Sequence, residues 1–127
     1  MHSVINKSRK PDLTFHSTGR INISARITRE LQLKSGDLID IMEDDDEHEA
    51  YIYVRHRVPN VGRHEGMVFP SHKGSYHFIA SSKALCEYIL RKCEQQKKAA
   101  VACGLSVQLK YYGKAFPIII PKQISIP

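Results

Sequence analysis

No stretch of this chain stays apolar for anything near the roughly 20 residues that a membrane-spanning helix requires. The N-terminal segment MHSVINKSRKPD also lacks the continuous apolar core of a secretory signal. These two absences lead us to expect a cytoplasmic protein with no membrane partner. Cysteine is scarce and scattered. Cys86, Cys93 and Cys103 form no CxxC pair, so the close-set ligands of a structural zinc site are missing, and the three read as reduced thiols serving as small apolar residues. Nothing is spaced as a nucleophile elbow, a phosphate loop or an HExxH helix, which argues against an enzyme. His56, His64 and His72 recur every eight residues, a spacing that fits neither a helix face nor a strand face. The acidic run from Glu43 to Glu49 lacks the glycine-shaped loop that makes carboxylates converge on a cation. The expectation is no metal and no cofactor.

What is present is an ordinary globular balance, with 42% hydrophobic and 25% charged residues in 127, enough for one core but small for two. The net charge of +6 is unevenly spread. Residues 1–58 carry nine Lys/Arg against ten Asp/Glu, whereas residues 59–127 carry ten against three. A basic excess favours polyanionic partners without identifying one.

Residues 1–11 are polar and carry Lys7, Arg9 and Lys10, the pattern of a basic arm. Leu13 and Phe15 alternate with polar neighbours, as do Ile21 and Ile23, with a Ser-Thr-Gly turn between them, so a short hairpin with one buried face is expected. Ser24 can cap a short helix whose Ile27 and Leu31 share a face, and Ser35-Gly36-Asp37 ends it. Leu38 to Met42 and Tyr51 to Arg55 read as strands joined by the acidic run, whose like charges favour a solvated hairpin tip. Residues 57–74, rich in proline and glycine, read as a connector. Beyond it, Tyr76 to Ala80 alternate as a strand, and a helix capped by Ser81 or Ser82 is expected to run to about Ala100, with Leu85, Ile89 and Cys93 on one face. Leu105 to Tyr111 and Phe116 to Ile120 then read as two more strands.

One segment carries a family likeness. Gly19 to Asp37, GRINISARITRELQLKSGD, resembles the AbrB/MazE/MraZ (SpoVT-AbrB) swapped-hairpin family, whose pattern runs approximately G-R-aliphatic-x-I-P-x-x-aliphatic-R-x-x-L-x-L-x-x-G-D. Gly19, Arg20, Ile21, Ile23, Ile27, Leu31, Leu33, Gly36 and Asp37 fall in register without a gap. The departures are Ser24 in place of the usual proline and Thr28 in place of the basic residue, with Arg29 next to it and Arg26 one turn earlier. The resemblance implies an α+β fold: a small β-barrel of swapped-hairpin type, with one short and one long helix. In that family two β-α-β-β units interlock, usually as a homodimer. Here residues 12–56 would be the first unit. An echo in residues 75–127, where Gly74-Ser75-Tyr76-His77-Phe78 mirrors Gly19 to Ile23, raises the alternative of two diverged repeats closing one barrel as an intramolecular pseudo-dimer.

The family presents basic side chains to DNA, which makes Arg20, Arg26 and Arg29 the implied contacts by position, with Lys7, Arg9 and Lys10 as a trailing arm. The expected function is DNA binding in transcription regulation. The alternative is a protein-interaction module, antitoxin-like or phage-type, in which exposed Tyr88, Tyr111 or Tyr112 would anchor a partner.

Overall fold

The computed structural model describes residues 10–55 and 64–121. The chain opens with the hairpin of β1 (Leu13–His16) and β2 (Arg20–Ile23). Its turn closes through the Gly19 N–H donating to the His16 carbonyl at 2.9 Å. Gly19 has φ +101°, and a Cβ there would lie 3.2 Å from the Lys83 side chain, so both the backbone conformation and the close approach call for glycine. Helix α1 (Ala25–Glu30) is capped by the Ser24 hydroxyl, which accepts from the Ile27 N–H. Strands β3 (Leu38–Glu43) and β4 (Ala50–Arg55) follow, and the acidic run forms the tip between them. Asp37 closes the preceding turn by accepting from the Lys34 N–H at 2.8 Å, while Gly36 takes φ +92°.

The later elements are β5 (Gly66–Pro70), β6 (Phe78–Ser81), α2 (Lys83–Lys92), β7 (Lys98–Cys103), β8 (Val107–Leu109) and β9 (Gly113–Ile119). Three sequence expectations are corrected here. The connector expected over 57–74 contains β5, whose Val68 is fully buried and whose Met67 to Pro70 pair with Ser81 to Phe78. The helix expected to reach about Ala100 stops at Lys92, because Glu94 turns left-handed (φ +54°) and the next segment is strand. Of the strand expected over Leu105–Tyr111, only Val107–Leu109 forms, lying outside the barrel as a flap on β9.

Eight strands, all antiparallel, run in the order β4-β3-β5-β6-β2-β1-β7-β9, and pairing of β9 with β4 closes the ring. The alternating residues that point inward fill it: Leu13, Phe15, Ile21, Ile23, Ile39, Ile52, Val68, Ala80, Val101 and Phe116 are each at most 3% exposed. Eight strands leave an interior just wide enough for side chains, so this is a packed core rather than a channel. Closure also leaves no ring strand with an unpaired edge.

The pairing pattern has an internal symmetry. Exchanging β1, β2, β3 and β4 with β5, β6, β7 and β9 leaves every ring pairing in place. The helices match as well. Each follows the second strand of its half and begins with a serine whose hydroxyl accepts from the N–H three residues on. Each ends in the same way: Gln32 and Leu33 donate back to Arg29 and Thr28, as Glu94 and Gln95 do to Arg91 and Leu90. These are Schellman closures. α2 exceeds α1 by four residues, and β8 has no counterpart in the first half.

Candidate nucleic-acid interface

The two outer arginines of the motif stay available, and the middle one does not. Arg26 lies on α1 with its guanidinium 3.0 Å from the Asp12 carboxylate, which is nearly inaccessible. It also donates to the Gly104 carbonyl at 3.4 Å and sits 5.4 Å from the centre of the Phe116 ring. Asp12 in turn accepts from the Cys103 N–H at 2.8 Å. Arg26 is therefore the cation that lets a buried carboxylate tie α1 to β1 and β7. Its charge is largely offset by Asp12, so it has less to offer an anion than Arg20 or Arg29.

Arg29, one turn further on, is exposed and lies over the Tyr76 ring at 4.6 Å. Both line a groove of about 620 Å³ between α1 and the segment joining β5 to β6, together with Thr28, Gln32, Lys34 and Phe78. No acidic residue lines it. Lys34 is a groove residue rather than a helix cap, the end of α1 being closed by Gln32 and Leu33. Arg20 begins β2, is exposed, and donates from Nε to Asn22 Oδ1 at 2.9 Å. With Lys10, Asn22, Ser71 and His77 it lines a neighbouring groove of about 410 Å³. Phe78 belongs to both grooves, so Arg20 and Arg29 serve adjoining surfaces. Lys7 and Arg9 lie outside the described residues.

The acidic tip gathers against α2 instead. Lys92 Nζ lies 2.6 Å from Glu43 and donates to the His48 carbonyl at 3.2 Å, and the Tyr88 hydroxyl donates to Glu43. The Lys92 ammonium, with help from Tyr88, holds the Glu43 carboxyl down at about 2. Burial and the same carboxylate push the Tyr88 hydroxyl upward. Tyr88 is thus half-buried, with its hydroxyl bonded to Glu43.

Sequence reasoning missed a polar cluster where the second half begins. His64 Nε2 lies 3.0 Å from Asp40, which also accepts from the Tyr53 hydroxyl at 3.2 Å, and Glu65 pairs with Arg55. Asp40 and Glu65 are buried polar residues held by these partners. Alternation places Asp40 on the outer face of β3, and only its intermediate neighbours in the ring reveal that this face is covered. His72 bonds to Ser71 instead, and His56 lies outside the described residues. Among the described residues no group of three or more His, Cys, Asp or Glu side chains is arranged to hold a metal. All three cysteines are buried, and burial raises the Cys86 and Cys93 thiols, as suits inert core groups.

A different surface is apolar. Around β8 and the turn into β9, Leu105 is 85% exposed, Tyr111 89% and Tyr112 41%. No helix among the described residues is long and apolar enough to cross a membrane. Comparison of the chain with protein-family models, with curated proteins and with solved structures finds no match.

Proposed function

We propose that this chain is a single-chain barrel of the AbrB-like swapped-hairpin type that binds DNA, contacting phosphates through Arg20, Arg29, Lys10 and Lys34 in a regulatory role within the cytoplasm. The barrel type is supported by the motif from Gly19 to Asp37 together with a ring whose pairings survive exchange of its halves. The observation that carries the binding reading is Arg29: an exposed guanidinium lying 4.6 Å from the centre of the Tyr76 ring, in a groove free of acidic side chains. An arginine held over a ring is already ordered, so less side-chain entropy is lost when its fork closes on a phosphate. Phosphate contacts of this kind give affinity with modest base preference.

The reading has a quantitative consequence. If the four cations neutralise about four phosphates, log K falls against log salt with a slope near −3.6. Fluorescence anisotropy of a labelled duplex at several salt concentrations measures it, and binding that ignores salt contradicts the proposal.

A second reading is favoured by the β8–β9 flap. Leu105, Tyr111 and Tyr112 form an exposed aliphatic and aromatic set in the segments flanking β8, a strand with no counterpart between β3 and β4. Such a set suits a protein partner rather than phosphate. In that reading the barrel is a scaffold without DNA binding.

A further inference from the structure

The fold builds the same junction twice, so each half serves as a control for the other. In each, a serine-capped helix packs beside a hairpin of the opposite half and leaves a groove. The α1 groove encloses about 620 Å³. The α2 groove, lined by Ser17, Lys83, Glu87, Leu90, Arg91 and two glutamines, encloses about 380 Å³. Counting from the caps Ser24 and Ser82, the fifth residue is Arg29 in the first helix and Glu87 in the second. The charge is reversed at matching positions.

The fourth residues differ as well. Cys86 Sγ donates to the Arg20 carbonyl at 3.5 Å. Its counterpart Thr28 is 3% exposed, and its buried hydroxyl has no hydrogen-bond partner among the described residues. A buried hydroxyl left unpaired is costly, and one lining a groove has its partner to gain from an occupant. The α1 groove also has an aromatic wall that the α2 groove lacks: Tyr76 is 58% exposed, with the Arg29 guanidinium against its ring.

We propose that the α1 groove is a site for one unstacked nucleotide unit, such as a strand end or an extruded nucleotide, with its base stacked on Tyr76 and its phosphate held by Arg29 and Lys34. The inference rests on the polyanion reading above and deepens it by naming what this groove takes. An aromatic face offers stacking to any base, and the guanidinium lying over one face of Tyr76 leaves the other for that contact. Two cations without an opposing acid favour the phosphate. Gln32 supplies polar groups for a base edge. With Glu87 at the matching position and no aromatic wall, the α2 groove offers the same ligand neither an unopposed cation pair nor a stacking face. The chain then holds one such site rather than the symmetry-related pair of a homodimer.

The test is an NMR titration of the full chain with deoxyadenosine 5′-monophosphate, with inorganic phosphate, and with a DNA duplex in parallel. The expected result is saturable nucleotide binding at one per chain, with shifts at Arg29 and Tyr76. Phosphate alone should bind more weakly. Tyr76→Ala should weaken nucleotide binding by about tenfold. Tyr76→Phe should restore it, and Arg91→Ala in the α2 groove should change nothing. Equal affinity for nucleotide and phosphate, or no saturable shift at all, overturns the inference. Duplex binding that survives while the nucleotide fails to bind sinks this inference alone; nucleotide binding without duplex binding sinks the broader reading instead.

Discussion

Arg26 and Arg29 stand three positions apart on one short helix and do different work. Nothing local separates them: both are arginines of the same motif on a turn of helix. What separates them is Asp12, which lies before β1, and the Gly104 carbonyl, 78 positions away in sequence. Only a closed ring brings these against α1, which is why the motif alone made Arg26 a DNA contact. The division of labour is measurable. Arg26→Met strands the buried Asp12 carboxylate and should lower the unfolding free energy by about 2 kcal/mol, less than for a fully buried pair because Arg26 is itself about one-third exposed. Arg29→Met should leave stability within about 0.5 kcal/mol while weakening duplex binding. Urea denaturation and anisotropy on the two variants check both halves of the statement. The buried hydrophobic positions, by contrast, were legible residue by residue. Leu13, Phe15, Ile21, Ile23, Ile27 and Leu31 all lie in the core, because period-two and period-four spacing is a local property.

At the scale of elements, legibility followed how far each element depends on its surroundings. The hairpin β1–β2, helix α1 and hairpin β3–β4 were readable, since capping serine, turn glycine and alternation all lie within each segment. The second half was harder. The segment Lys97 to Cys103 opens in good helix formers, and Glu94 to Lys98 has the spacing of a helical ion pair, which carries the expected helix to about Ala100. Its alternating Ala99, Val101 and Cys103 instead fill the ring position between β1 and β9. Burial in the ring overrides propensity there. Strand β5 was hidden by the glycine and proline at its ends, yet Gly66 is where the chain approaches the Ala80 side chain, at 3.1 Å from a built Cβ. The matched helix ends yield a prediction of their own. Gln32 and Glu94 hold φ of +53° and +54°, a conformation that favours glycine. Gln32→Gly and Glu94→Gly should each stabilise the chain by about 0.5–1 kcal/mol, read as raised midpoints in thermal melts. Unchanged or lowered midpoints would mean that side-chain contacts of Gln32 and Glu94 outweigh the backbone strain.

For the molecule as a whole, the ring is a set of pairings between halves, and these are the least visible in sequence. The contacts of β2 with β6, β3 with β5, β1 with β7 and β4 with β9 join segments tens of residues apart. The echo between the halves pointed to them only through the order of elements. The two halves are not alike: the α1 side carries Arg29 and Tyr76, the α2 side carries Glu87 and the acidic tip, and the β8 flap belongs to the second half. On the proposed reading, the face carrying Arg20, Arg29 and Lys34 is the one that meets DNA. Chemical-shift mapping of the isotope-labelled chain during titration with a short DNA duplex locates that face directly. The account predicts shifts concentrated at Arg20, Arg29, Lys34 and Tyr76, fading as salt rises; shifts confined to Leu105–Tyr112, or no shifts at low salt, would contradict it.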